Sequence, residues 1–110
     1  MEAIGGVEAV TLDCRDPLTL AGFWAQVFGT RLGSVLDDPP RFVDLEPFPG
    51  LPLLCFQRVP EEKVVKNRLH VDVYGDADEL IARGATLIDR LSRWTILADP
   101  EGNEFCAFAT

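Results

Sequence analysis

The chain has one histidine, His70, two residues before Asp72 in "NRLHVDV". In an extended segment, positions two apart share a face. A carboxylate there can orient the imidazole and favour its charged form. Such a pair suits a general base or a hydrogen-bond donor to a bound molecule. The cysteines are Cys14, Cys55 and Cys106, far apart and with no Cys-x-x-Cys pair. Glu104 stands two positions before Cys106 in "GNEFCAF", again on one face of an extended segment. No phosphate-binding glycine loop, dinucleotide fingerprint or Ser-His-Asp set can be drawn from the remaining residues.

The chain that must position these groups has 110 residues, the size of one domain. Apolar residues make up 47% and charged residues 25%, a globular composition rather than a disordered one. Ten Lys and Arg against eighteen Asp and Glu leave a net charge of −8. That sign repels phosphate backbones and argues against a nucleic-acid partner. No run approaches the roughly 18 apolar residues of a membrane span. "MEAIGGVEAV" lacks the basic and apolar regions of a secretory signal. The expectation is a cytoplasmic protein with three reduced thiols, at least two of them buried as small apolar groups.

Two stretches share a plan. In "VEAVTLDCRDPLTLAGFWAQVFG", Val10 and Leu12 alternate with Ala9, Thr11 and Asp13, the pattern of a strand. Asp16-Pro17 then reads as a helix start, and Gly29 as its stop. Leu20, Phe23, Trp24, Val27 and Phe28 recur between them at helical spacing. In "NRLHVDVYGDADELIARG", Leu69, Val71 and Val73 alternate with His70, Asp72 and Tyr74. An acidic cap, Asp76 or Asp78, opens a short helix with Leu80 and Ile81 inward, ended by Gly84. Each stretch is followed by three short apolar runs. These are "RLGSVLDD", "RFVDLEP" and "LPLLCFQRV", then "TLIDRL", "WTILAD" and "EFCAFA". Asp99 to Asn103 between the last two is a strong turn, with Pro100 and Gly102 setting the angles on which the final strand's register depends. The fold class is therefore α+β, two βαβββ modules in one domain over 1–110. Module one covers about 5–59 and module two about 67–110, joined by the charged connector "PEEKVVKN".

"LDCRDPLTLAGFWAQVFG", "KNRLHVDV" and "WTILADPEGNEFC" together resemble the glyoxalase-like branch of the vicinal oxygen chelate superfamily. Glyoxalases, extradiol dioxygenases and bleomycin-resistance proteins belong to it. The resemblance implies a cupped, incomplete barrel with helices on the outer face. Ala9, Thr11, His70 and Asp72 would then line the inner face. In enzymes of this superfamily that face holds a divalent metal, a Lewis acid for vicinal substrate oxygens. Carried over by position, the four ligand places fall on Ala9, His70, Cys55 and Cys106. Alanine cannot bind a metal. Gln57 lies two residues from Cys55 on the same face. A zinc site of His70, Cys55 and Cys106 is chemically conceivable, and Glu104 could supply a carboxylate from a register shifted by two.

The expectation is thus a metal-independent domain that binds a small apolar or aromatic molecule. Its candidate contacts are His70, Asp72, Trp94, Phe42, Cys55, Glu104 and Cys106, with Phe108 beside them. No cofactor is expected. The alternative is a metal-dependent lyase or isomerase of glyoxalase type, with His70 as base and a shifted ligand set for a divalent metal that includes Glu104 or Gln57, His70 and Glu104 being the candidate ligands. A third expectation is a vestigial pocket in a protein whose role is association. The resemblance is also compatible with a homodimer.

Overall fold

The computed structural model describes residues 2–109. The chain forms two compact units, Met1–Pro60 and Glu61–Thr110. The first contains β1 (Val10–Cys14), α1 (Pro17–Phe28), β2 (Leu32–Leu36), β3 (Phe42–Leu45) and β4 (Leu54–Arg58). The second contains β5 (Asp72–Tyr74), α2 (Ala77–Ala82), β6 (Thr86–Arg90), β7 (Thr95–Ala98) and β8 (Glu104–Phe108). The two four-stranded sheets run β1-β4-β3-β2 and β5-β8-β7-β6. In each, the first strand pairs in parallel with the last, and the other pairs are antiparallel. Each also shifts register at the same place in its plan, Leu32/Val35 in β2 and Leu87/Asp89 in β6. The internal repeat therefore extends from element order to strand pairing, and the fold is α+β with two βαβββ modules.

Local chemistry explains α1. The Asp16 carboxylate accepts from the Thr19 N–H at 3.2 Å and from the Thr19 hydroxyl at 2.7 Å. The hydroxyl bond above all, then the N–H bond, hold the Asp16 carboxyl below its ordinary value. Pro17 occupies the first turn, where no N–H partner is needed. Gly29 ends the helix in the left-handed region at φ 67°, which costs glycine nothing. Leu20, Phe23 and Trp24 are buried, and α1 packs on β2, β3 and β4. Trp24 meets Phe23 edge-on at 5.3 Å and stacks on Phe28 at 5.7 Å.

In the second unit Asp76, not Asp78, caps the helix, accepting from the N–H groups of Asp78 and Glu79. Of the two apolar positions expected to face inward, Leu80 is buried and Ile81 half-buried, since six residues of helix turn a single position fully onto the core. The Asp99–Asn103 turn is tighter than its letters suggest. Asp99 is 2% exposed, and its carboxylate accepts from the Glu101 N–H and from the backbone and side-chain nitrogens of Asn103 at 2.9–3.1 Å. Gly102, at φ 86°, donates to the Asp99 carbonyl at 2.8 Å.

Three expectations change. The first strand begins at Val10 and leaves Ala9 outside it. Val10 pairs with Leu54, the first residue of β4, so Ala9 has no strand residue opposite it. The fifth strand is Asp72–Tyr74 alone, so His70 precedes it and Leu69 is 77% exposed. The connector before it is tied instead to the β7–β8 turn, with the Asn67 amide donating to the Asn103 side chain at 3.0 Å. Lastly, Cys14 is buried, but Cys55 and Cys106 are only half-buried, because both sit at sheet positions that alternate with the core residues. Among the described residues, no helix is long and apolar enough to cross a membrane.

Candidate functional site

Burial alternates along β8. Phe105 and Ala107 are in the core, and Glu104, Cys106 and Phe108 point to the other face. The register sets Asp72 on one side of Cys106 and Ile96 on the other, and cross-strand partners share a face. A carboxylate oxygen of Asp72 and Sγ of Cys106 lie within 4.8 Å of one another. The Asp72 carboxylate also lies 3.2 Å from Nδ1 of His70. One potential ligand atom from each of His70, Asp72 and Cys106 comes within 4.8 Å of the others. Burial pushes the Cys106 thiol up. The Asp72 charge pushes it further, and Lys66 offsets part of this. The thiol is therefore the form present near neutral pH.

Glu104 lies on the same face but has different neighbours. It accepts from Lys63 Nζ at 3.0 Å and from the Asn67 N–H at 3.1 Å. The side chains of Lys63 and Glu104 are 21% and 16% exposed. Burial alone would raise the Glu104 carboxyl. The hydrogen bonds from Asn67 and Glu104 backbone N–H groups, with the bond and charge of Lys63, outweigh it and hold the group low. Lys63 also donates to the Val65 carbonyl at 2.7 Å. Neither Lys63 nor Asn67 was among the candidates read from sequence. Their only signal there is their place in a charged connector.

Trp94 lies just before β7 rather than inside it, and is half-buried. Its ring meets that of Phe108 at 5.8 Å with a 30° tilt. Trp94 also lines a cleft of about 290 Å³ with Gly75, Asp78, Arg90 and Leu91. The Asp78–Arg90 ion pair, at 2.7 Å, spans residues of that lining.

The module-one candidates are placed by their own sheet. Cys55 pairs with Thr11 on β1 and Asp44 on β3. Burial raises its thiol, with smaller contributions from Asp44 and Glu8. Phe42 pairs with Gln57 and carries the Arg41 guanidinium 5.4 Å above its ring.

The donor set bears on a metal as follows. Ala9 offers no ligand atom, and Glu104 is already held by an ammonium and an amide N–H. The ligand places implied by the resemblance therefore do not form a complete set on this chain. His70, Asp72 and Cys106 do offer a nitrogen, an oxygen and a sulfur at chelating distance of one another, a combination that zinc accepts.

Residues 9–108 match the sequence profile described as a glyoxalase-like domain. Comparison with curated proteins gives no match. Among solved structures, the chain is similar to a glyoxalase/bleomycin resistance protein/dioxygenase family enzyme from Burkholderia phytofirmans PsJN. The identity is 24% and the TM-score 0.67, over 93% of this chain and 96% of that one. It is also similar to the fosfomycin resistance protein FosX from Mesorhizobium loti, at 16% identity and TM-score 0.68, over 96% and 92% of the two chains. A mutant FosX from Listeria monocytogenes, complexed with Mn(II) and 1S,2S-dihydroxypropylphosphonic acid, matches at 17% identity and TM-score 0.71, over 97% and 93%. At these identities the likeness is one of fold.

Proposed function

This chain belongs to the glyoxalase-like domain family, and we propose that it binds a small apolar or aromatic molecule without needing a metal. The carrying observation is the Asp72-centred network. Its carboxylate lies 3.2 Å from His70 Nδ1 and opposes ionisation of the Cys106 thiol, so the groups that could chelate already interact with one another. Thiolate is the metal-binding form of cysteine, and the raised Cys106 thiol disfavours it. Glu104 is committed to Lys63 and Asn67. Ile96, Phe108 and Trp94 supply apolar surface, and the His70–Asp72 pair supplies a polar anchor that orients a ligand.

A second reading rests on one observation, the approach of His70, Asp72 and Cys106 to within 4.8 Å. A divalent ion held there would be a Lewis acid toward a ligand oxygen. One experiment separates the two. Chelator-treated protein is titrated with 1-naphthol, followed by tryptophan fluorescence, before and after adding Zn, Ni, Mn or Co salts. The metal-independent reading expects saturable binding without metal, weakened by Trp94→Ala. Binding that appears only with metal, together with a metal-induced rise in melting temperature lost in His70→Ala, would replace it with the second.

A further inference from the structure

Module one has a second feature that the site above does not use. Three of its arginines, Arg15, Arg41 and Arg58, line one cleft of about 490 Å³ with Val59 and Pro60. Strand pairing brings them together. Arg41 precedes β3 and Arg58 ends β4, and the Arg58 N–H donates to the Arg41 carbonyl at 2.8 Å. That bond continues the ladder one pair beyond Phe42 and Gln57, which sets the two Cα atoms roughly 5 Å apart. Val59 donates to the Cys14 carbonyl at 2.8 Å, which brings Arg15, the next residue, beside the same strand end.

Clustered guanidinium groups repel one another unless an anion lies between them. The chain has only ten basic residues against eighteen acidic ones, yet the cleft lining contains no carboxylate. Arg31, Arg83 and Arg90 each pair with a carboxylate at 2.7–3.0 Å. Arg41 and Arg58 have no such partner among the described residues. Arg41 instead has its guanidinium 5.4 Å from the centre of the Phe42 ring, a contact with the ring face that leaves its charge uncompensated by a carboxylate. Guanidinium forks match oxyanions bidentately and stay charged at every physiological pH. A volume of this size falls in the range of small-molecule sites, roughly 300–1,000 Å³, so there is room for more than the anion itself.

We propose that Arg41 and Arg58, in the cleft they line beside Arg15, bind the phosphate, or a comparable dianionic oxyanion, of a small molecule. The proposal is independent of the module-two site, so either can fail alone. The test is calorimetric titration of the whole chain with inorganic phosphate and with acetate at low ionic strength. Phosphate is expected to saturate a single site and acetate to bind much more weakly. The double variant Arg41→Gln/Arg58→Gln should weaken phosphate binding at least tenfold. Arg41→Lys/Arg58→Lys should weaken it less, because it keeps the charge and loses the fork. In anion-free buffer the glutamine variant should melt no lower than the parent, since it relieves repulsion. No phosphate binding, equal affinity for acetate, or unchanged affinity in the glutamine variant would overturn the proposal. A glutamine variant that melts well below the parent without anion would overturn it too, by assigning the arginines to the fold.

Discussion

Replacing Glu104 by Gln removes one negative charge from a nearly closed pair while keeping the side chain's shape. The parent carboxylate accepts from Lys63 Nζ at 3.0 Å and from the Asn67 N–H at 3.1 Å. The amide of the variant can still accept from Asn67, so the loss is the charged bond to Lys63, at a site where the two side chains are 21% and 16% exposed. A hydrogen bond to a charged group contributes about 1.5–3 kcal/mol. At roughly 4 °C per kcal/mol for a chain of this length, the melting temperature should fall by about 6–12 °C. The pH profile carries a second signature. The Glu104 carboxyl is held below its ordinary value in the folded chain. Its stabilisation is therefore complete above the unfolded value of about 4.3 and is lost as the pH falls through the lower folded value. Parent and variant should differ most near neutrality and converge in acid. Urea unfolding from pH 3 to pH 7, with Lys63→Met completing a double-mutant cycle, measures both effects. A variant within 0.5 kcal/mol of the parent at pH 7 on that roughly 1.5–3 kcal/mol scale, or no coupling to Lys63, would refute the clamp. It would also release Glu104 as a candidate metal ligand.

Two further outcomes follow from the geometry. Alkylation of Cys106, followed by mass spectrometry, should still be accelerating above the ordinary thiol range, and Asp72→Asn should shift its midpoint downward, because Asp72 opposes thiolate formation by its charge. An unchanged midpoint would contradict the Asp72-centred network. Trp24→Ala, at a position 2% exposed with aromatic contacts on two sides, should cost about 3–5 kcal/mol in urea unfolding; a loss below about 1 kcal/mol would contradict the packing of α1 on its sheet.

The two-module plan was legible in the letters because it rests on local rules. Alternation marks a strand, Asp16-Pro17 starts a helix and Gly29 stops one, and each acts within a few residues. The Asp99–Asn103 turn is of the same kind, since its carboxylate bonds reach at most four residues along the chain. Strand parity likewise placed Glu104, Cys106 and Phe108 on one face before any coordinates. Register across strands is a different matter. That Asp72 faces Cys106 is decided by the parallel pairing of β5 with β8, over a separation no local pattern encodes. The same is true of Lys63, whose bond to Glu104 spans 41 positions and turns a carboxylate available for chemistry into half of an ion pair. It is true again of Arg15, Arg41 and Arg58, ordinary surface residues in sequence that three strand ends gather into one cleft. The order of the elements and the face each residue takes follow from neighbours in the chain, whereas the ends of β1 and β5 depend on the strands they pair with. Only the tertiary structure decided which side chains meet, because long-range pairing depends on how the whole sheet closes its hydrogen bonds and buries its apolar face.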